Sequence, residues 1–336
     1  MIQYSPTRKF ILFMSTTTLE EDAKSIVALN VWSKAATYNW VLVPQTSEEP
    51  VIVHVDAKSN GPVAGRLMFF PGFAAYRDFA LLLQAPDLGL ALSPLDVTHW
   101  ELVGLTDGRY EIHSFRTGFV PHLANKEEQT FLAPLVHECR GLLMRFEENT
   151  ELPAKYAADQ AMFGRKEGLD GKWRDGPVPL PKEPPRPREE RIALGNRECA
   201  VAARLPFDEN ESGEVDFFGV PACRTEDPQP RIMYLFAAVD AQTGERRVWD
   251  RMSVPKNGGT PEDAGGLKPM WESLAQRLLA AILRHGRIPG AVNVRSGRMA
   301  RFLRPLGLQI PFRLVQHGKL PALDAALTNA FKTKTV

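Results

Sequence analysis

Residues 284–320, RHGRIPGAVNVRSGRMARFLRPLGLQIPFRLVQHGKL, predict a strand, a helix and a second strand in direct succession. The segment Ala291–Val294, apolar except for Asn293, is typical of a short buried strand. Residues 297–306 follow with helical spacing, and Pro305 and Gly307 close that helix. Residues 308–315 then predict another strand. A strand–helix–strand order of this kind favours a mixed sheet with helices packed on it.

The same stretch is strongly basic. It carries eight Lys or Arg residues and no Asp or Glu, whereas the whole protein has a formal net charge of +1. A local excess of positive charge favours an anionic partner on one face of the protein, and the near-neutral total excludes a general affinity for polyanions. The eight residues are Arg284, Arg287, Arg295, Arg298, Arg301, Arg304, Arg313 and Lys319.

The predicted anion-binding site consists of Arg295, Ser296, Gly297, Arg298, Arg301 and Arg304. The three helical arginines recur every three positions, which predicts that they line one side of the helix. Residues 295–297 lie where the strand turns into the helix, and free amides and the positive end of the helix dipole favour a phosphate there. The alternative is a solvated arginine-rich face with Ser296 as a simple helix cap. The sequence leaves both interpretations open.

Length and composition indicate two globular domains. The chain has 336 residues, of which 44% are hydrophobic and 24% are charged. Proline-rich sequence between residues 164 and 191, including PVPLPKEPPRPR, leaves little to bury and is typical of a linker. We therefore expect an N-terminal α+β domain over residues 1–163, a linker over 164–191 and a C-terminal domain over 192–336.

The sequence also favours a cytoplasmic protein. Its three cysteines, Cys139, Cys199 and Cys223, are widely spaced and form no CxxC motif, which argues against a disulfide framework. No apolar run approaches the roughly 20 residues that span a bilayer, so we expect no membrane association. The N-terminal residues lack the features of a signal peptide, and Met14 is an alternative start because the first structural signal follows it.

Local signals predict the elements of the first domain. Trp40–Val43 and Val51–Asp56 have the composition of paired strands. Thr106-Asp-Gly108 is a strong hairpin signal. A long helix is predicted to begin after Asn125, whose side chain caps it with Glu128 at the third helical position. We expect this domain to act as an interaction module.

In the second domain, Glu198–Leu205, Arg231–Val239 and Arg246–Val254 predict strands, and Asp208–Glu214 predicts a polar turn. A helix ending at Gly286, the 284–320 stretch and a terminal helix over residues 320–331 complete the domain. The core order is β-β-α-β-α-β-α, which implies an α+β fold with a mixed sheet.

This order resembles the ribonuclease H-like fold of transposases, integrases and Holliday-junction nucleases. The residues 236–244, FAAVDAQTG, look like the first strand and turn of an integrase core, with Asp240 in the place of its first metal-binding Asp. The resemblance implies two Mg or Mn ions held by converging carboxylates. The chain departs from it at the end of the strand 291–294, where Asn293 and Arg295 stand in place of an acid, and Asp324 is the remaining candidate. This departure favours a degenerate, binding-only version.

The whole chain also resembles an uncharacterised group of bacterial two-domain proteins. That resemblance implies an architecture and no assigned activity. Its points of similarity are Trp40 with its following strand, Phe119-Val-Pro121, Gly286-Arg-Ile-Pro289 and Leu320-Pro-Ala-Leu-Asp324.

Several catalytic motifs are absent from the sequence, namely GxxxxGK[ST], GxGxxG after a strand, GxSxG and HExxH. We therefore predict a protein without catalytic residues or a cofactor of its own, which binds nucleic acid or another polyanion through its basic C-terminal surface. One alternative is a metal-dependent nuclease that uses Asp240, Asp324 and an acid from a mobile loop, Glu262 or Asp263. A second alternative is a scaffold whose arginines contact an acidic protein.

Overall fold

The computed structural model describes residues 16–29, 39–45, 47, 49–56, 61–85, 92–149, 161–180, 194–220, 230–254 and 267–332. Within these ranges, seven α-helices and two sheets, one of eight strands and one of five, form the mixed α+β architecture that the sequence predicted. The chain divides into two compact units. The first contains residues 1–79, 97–116 and 121–184, and the second contains residues 80–96, 117–120 and 185–336.

The eight-stranded sheet belongs to the first unit. Its strand order is β6-β5-β4-β3-β2-β1-β7-β8, and all neighbours are antiparallel except β1 and β7. The strands are β1 (Asn39–Val43), β2 (Val51–Asp56), β3 (Val63–Pro71), β4 (His99–Leu105), β5 (Tyr110–Phe115), β6 (His122–Leu123), β7 (Ala161–Glu167) and β8 (Trp173–Pro179). The helices in this half of the chain are α1 (Thr16–Ala28), α2 (Gly72–Gln84) and α3 (Lys126–Glu148).

Helices α1 and α3 pack on each other and bury one face of this sheet. The start of α3 confirms the predicted cap. The side chain of Asn125 accepts the N–H of Glu128 at 3.0 Å, and the Glu128 carboxylate accepts the N–H of Asn125 at 2.9 Å. Each residue thus satisfies a backbone amide that the first helical turn leaves free.

Strands β7 and β8 lie largely within the segment predicted as a linker, so that prediction is wrong for residues 164–179. Among the strands that the structure describes, β8 lies at the edge of the sheet and pairs only with β7. Pro177 and Pro179 are two positions apart, so both can direct their missing N–H away from β7 without loss of a ladder hydrogen bond. Residues 181–191 of the predicted linker lie outside the described residues.

The five-stranded sheet belongs to the second unit, in the order β11-β10-β9-β12-β13. Strands β9, β10 and β11 form an antiparallel series, and β12 and β13 are added on the other side of β9 in parallel. The elements are α4 (Asn196–Ala202), β9 (Phe207–Val220), β10 (Met233–Asp240), β11 (Arg246–Ser253), α5 (Leu267–His285), β12 (Ile288–Val294), α6 (Gly297–Gly307), β13 (Arg313–Gln316) and α7 (Pro321–Lys332).

Helices cover both faces of this sheet. On one face, Phe236 of β10 belongs to the cluster formed with Leu274 of α5 and Leu303 of α6. On the other face, Ala237 of β10 belongs to the cluster formed with Leu323 of α7. Among the described helices of the chain, none is long and apolar enough to cross a membrane.

Two predictions for this unit are wrong. Residues 198–202, predicted as a strand, lie in α4, and residues 208–214, predicted as a polar turn, lie in β9. The first half of β9 is polar because most of its side chains are exposed or half-buried, and Glu214 is buried against a helix that is distant in sequence. Local composition does not reveal such a partner, so the polar stretch has the pattern of a turn.

Two earlier segments of the chain also belong to this unit. Residues 117–120 pair with residues 230–232, where Ile232 N–H donates to the carbonyl of Gly118 at 2.9 Å and Val120 N–H donates to Pro230 at 2.8 Å. The short 3₁₀ turn Pro94–Asp96 contributes a buried carboxylate. The C-terminal unit therefore begins well before the predicted boundary at residue 192.

Candidate functional site around Arg295

Arg295 joins two carboxylates on one face of the C-terminal sheet. Its Nε donates to Asp216 Oδ2 at 2.7 Å, and its Nη2 donates to Asp324 Oδ1 at 2.6 Å. Arg295 directly follows β12, Asp216 lies on the neighbouring strand β9, and Asp324 lies in the first turn of α7. One guanidinium group thus ties the last helix to two adjacent strands.

The alternation of side chains along β9 places Asp216 on the α7 face of the sheet. Its register partner in β10 is Ala237, which belongs to the same cluster as Leu323 of α7. Glu214, two residues earlier, faces the same side and accepts the N–H of Leu323 at 2.8 Å. Two acids of one strand therefore hold α7, one through a backbone amide of its first turn and one through Arg295.

The Arg295 ion pairs are partly withdrawn from water. The side chain of Asp216 is 11% exposed, whereas that of Asp324 is 48% exposed. Burial raises the pKa of Asp216, against the hydrogen bonds from Arg295 and from the N–H of Phe217. Burial acts to lower the pKa of Arg295, but the hydrogen bonds to its two carboxylates outweigh it and raise the pKa. The guanidinium remains charged, so its loss would leave a buried acid uncompensated.

The carboxylates predicted as metal ligands do not converge. Asp240 ends β10 and shares the sheet face of Ala238, which belongs to the cluster under α5. Asp324 lies on α7, which packs on the opposite face. The structure therefore does not support the prediction that Asp240 and Asp324 bind one ion. Glu262 and Asp263, the proposed additional acids, lie outside the described residues.

The Asp240 carboxylate is hydrogen-bonded within the turn that follows β10. Its Oδ1 accepts hydrogen bonds from the N–H of Gln242 at 3.0 Å, the N–H of Thr243 at 2.8 Å and the Thr243 hydroxyl at 2.9 Å. Burial acts to raise the pKa of Asp240, but these hydrogen bonds outweigh it and lower the pKa. Within the described ranges, no group of three or more His, Cys, Asp or Glu could hold a metal ion. The residues present thus do not fit the magnesium or manganese pair that the resemblance implied.

The arginines predicted to line one side of α6 separate in the structure. Arg298 is buried, with 5% of its surface exposed, whereas Arg301 and Arg304 are exposed. A helix turns by about 100° per residue, so positions 298 and 304 lie about 120° apart around the axis. Arg298 therefore approaches the apolar stripe of α6, and the prediction of a single exposed row is wrong for it.

In the turn between β12 and α6, the polar groups predicted to bind an anion make contacts within the protein instead. The hydroxyl of Ser296 accepts the N–H of Met299 at 3.2 Å, which makes Ser296 the cap of α6. Gly297 is the first residue of the helix and is half-buried. Arg295 is directed to its two carboxylates. Of the six residues predicted to bind an anion, Arg301 and Arg304 are the two whose side chains are exposed.

A second buried polar group of this unit surrounds Asp96. The Tyr234 hydroxyl donates to Asp96 Oδ1, and Ser93 donates to Oδ2 through its N–H at 3.0 Å and its hydroxyl at 3.1 Å. Burial raises the pKa of Asp96, while these hydrogen bonds and the positive charge of Arg298 oppose the rise. Burial and the neighbouring Asp96 raise the pKa of Tyr234. The buried guanidinium of Arg298 therefore stabilises the charge of Asp96 inside the unit.

Sequence reasoning missed Asp216 and Glu214. Both lie in Gly213-Glu-Val-Asp-Phe-Phe218, where acids alternate with apolar residues. An acid at every second position before an aromatic pair is a strand signal with one charged face. That signal could have identified β9 and, with it, the carboxylate that Arg295 binds.

We found no match to the chain among curated proteins or among solved structures. Within the C-terminal unit, the segment from the last residue of α4 into α7, residues 202–330, matches the family model described as a domain of unknown function (DUF6930).

Proposed function

We propose that the C-terminal unit is a non-catalytic binding module of ribonuclease H-like type that presents a basic surface to nucleic acid or another polyanion. The strand order supports the fold assignment. The sheet has an antiparallel series of three strands, with two further strands added in parallel beside its first member. It thus has one strand, β9, more than the β-β-α-β-α-β-α order on which the resemblance was based. In this arrangement β9 is the first strand, and Asp216 takes the role that the sequence suggested for Asp240.

The double ion pair of Arg295 is the observation that carries the proposal. In the fold that the chain resembles, a metal ion would lie among acids on the first strand, at the end of the fourth strand and on the last helix. Here Asp216 and Asp324 occupy the first and last of these places, and Arg295 occupies the middle one. We infer that the guanidinium supplies internally the positive charge that a bound cation would otherwise bring.

Exposed cations on the neighbouring surface support a polyanionic ligand. Arg301 and Arg304 on α6 are exposed, as are Arg313 on the edge strand β13 and Lys319 just after it. Helix α6 packs against β13, so these residues belong to adjacent elements. The sequence has no Asp or Glu from residue 284 to residue 323, so no acid from this stretch competes for a ligand.

Binding tests should measure affinity for duplex DNA, single-stranded RNA and poly-glutamate as a function of salt. We expect Arg301→Glu with Arg304→Glu to weaken nucleic-acid binding by at least about tenfold and to make the salt dependence shallower by about two units of log–log slope. The control is Arg204→Glu with Arg251→Glu, which reverses the same charge at two exposed positions, one in the turn after α4 and one on the opposite edge strand β11. Equal losses in both double variants would contradict the proposal, and binding of poly-glutamate alone would favour the protein scaffold.

Catalysis has its own test. The full chain should leave DNA and RNA of every form intact in the presence of Mg²⁺ or Mn²⁺. Metal-dependent cleavage that disappears in Asp216→Asn would overturn the non-catalytic assignment. The metal-dependent nuclease would then become the favoured hypothesis. Cleavage that persists in Asp216→Asn would point to a contaminating nuclease.

A further inference from the structure

Strand β13 leaves one edge of the C-terminal sheet open. Among the strands that the structure describes, β13 pairs only with β12. The N–H of His317, just after β13, donates to the carbonyl of Val294 in β12 at 2.8 Å. Backbone groups alternate in direction along a strand, so the N–H and C=O groups of Leu314 and Gln316 point away from β12. This edge can therefore pair with a further strand.

The elements beside this edge carry positive charge and no acid. Strand β13 packs against β12 and α6, and residues 288–316, which contain all three elements, include no Asp or Glu. Arg301 and Arg304 on α6 are exposed, as is Arg313 on β13 itself. Leu314 packs on the cluster beneath α6, so the alternation of side chains directs Arg313 to the opposite face of the sheet. An added strand would thus find cations toward both faces.

Apolar surface adjoins these cations. Leu308, just after α6, is 81% exposed, and Leu314 and Val315 are half-buried. Side chains of an added strand could cover this surface. A nucleic-acid backbone cannot continue a β-ladder, whereas an extended polypeptide can supply both the N–H and the C=O groups that the edge requires. The open edge therefore favours a polypeptide among the possible polyanions.

We propose that β13 binds an acidic segment of a partner protein, which adds to the sheet as an extended strand. This role rests on the proposed function, because the basic surface must first attract an anion, and it names that anion as a polypeptide. Main-chain hydrogen bonds to Leu314 and Gln316 supply affinity, and carboxylates near Arg304 and Arg313 supply specificity. The same cations oppose pairing with the β13 edge of a second copy, because like charges would then face each other.

Synthetic peptides of about eight residues test this proposal. The first alternates Glu and Thr, the second is the same sequence with every amide N-methylated, and the third has Lys in place of Glu. Fluorescence anisotropy with the full chain should show the first peptide binding at least about tenfold more tightly than the other two.

The outcomes separate this proposal from the proposed function. Equal affinity of the first two peptides would overturn strand addition and leave the charged surface intact. Binding of duplex DNA without binding of the Glu–Thr peptide would assign the surface to nucleic acid and overturn strand addition alone. If neither ligand binds, both proposals fail.

A proline on the edge strand locates the contact. Gln316 is exposed and its N–H points outward, so Gln316→Pro removes one donor without loss of a hydrogen bond to β12. We expect this variant to weaken the Glu–Thr peptide about tenfold and to change duplex DNA binding by less than about twofold. The control Gln316→Thr keeps the N–H and should change neither affinity. Full retention of peptide affinity in Gln316→Pro would contradict the proposal.

Amide hydrogen exchange gives a readout that needs no variant. The N–H of Leu314 should exchange at least about fivefold more slowly when the Glu–Thr peptide is bound, because the added strand accepts its hydrogen bond. Should Gln316→Pro fail to fold, this measurement and the N-methylated peptide still decide. Unchanged exchange at Leu314 with the peptide bound would overturn strand addition.

Discussion

Arg295 and Arg247 lie on opposite faces of one five-stranded sheet, and both are surrounded by acids. Arg295 has two carboxylates and donates a hydrogen bond to each at 2.6–2.7 Å. Arg247 has three, at 3.2–3.7 Å, at the rim of a small cavity between α5 and the sheet. The short contacts of Arg295 fasten α7 to two strands. The longer contacts hold Arg247 less tightly.

The largest expected effect comes from loss of the first arginine. Arg295→Met should lower the free energy of unfolding by about 2–3 kcal/mol, because it leaves the buried carboxylate of Asp216 without a counter-charge. Arg247→Met should cost only about 1 kcal/mol, because Asp240 keeps its hydrogen bonds from Gln242 and Thr243. Denaturant unfolding of both variants measures the difference.

A second substitution separates charge from packing at Arg295. Adding Asp216→Asn to Arg295→Met removes the stranded charge and should recover about half of the lost stability. The interpretation fails if the double variant is less stable than Arg295→Met alone, or if Arg247→Met is the more damaging of the two single variants.

Enlarging an alanine on each face sharpens the contrast between packed and open regions. Ala237→Leu should cost about 2 kcal/mol, because Ala237 is fully buried against α7 and the added atoms have no space. Ala281→Leu should cost less than Ala237→Leu, because Ala281 lines a small cavity between α5 and the sheet that can take part of the added side chain. Thermal and denaturant unfolding can compare the pair directly, and equal losses would show that the cavity has no room for a side chain.

The smallest expected effect concerns pH. Hydrogen bonds lower the pKa of Asp240, so its ionised form stabilises the folded state at pH values above its ordinary range, and that contribution is lost as the pH falls through the lowered pKa. Asp240→Asn should therefore be less stable than the wild type by about 1 kcal/mol at pH 6, and this gap should narrow as the pH falls below about 4. Stability curves measured across that range would refute this if the gap widened in acid.

The sequence identified elements whose signals are local. The capping pair Asn125 and Glu128 predicted the start of α3, because both partners lie within one helical turn. Thr106-Asp-Gly108 predicted the β4–β5 hairpin, where Gly108 has a φ of +84° that favours glycine. Two domains and a basic C-terminal stretch also follow from composition alone.

Features that depend on distant partners were not predicted. The first half of β9 has the composition of a turn. Only its contacts with Arg295 and α7, about 80 residues or more downstream, show that it is a strand. The sequence pattern around Arg298 is that of an exposed residue. In the structure, Arg298 interacts with Asp96, which lies in the first half of the chain. The metal hypothesis chose Asp240 over Asp216 for the same reason, because only the pairing of β9 with β12 shows which strand is central.

The bond between Tyr234 and Asp96 also bears on which part of the chain can fold by itself. Its two ends are 138 residues apart, and the matched segment, residues 202–330, contains only the tyrosine. A fragment cut at those limits would leave the buried Tyr234 hydroxyl without its partner and would lose the segment that pairs with Ile232. We therefore expect residues 202–330 to need the upstream turn and segment in order to fold stably.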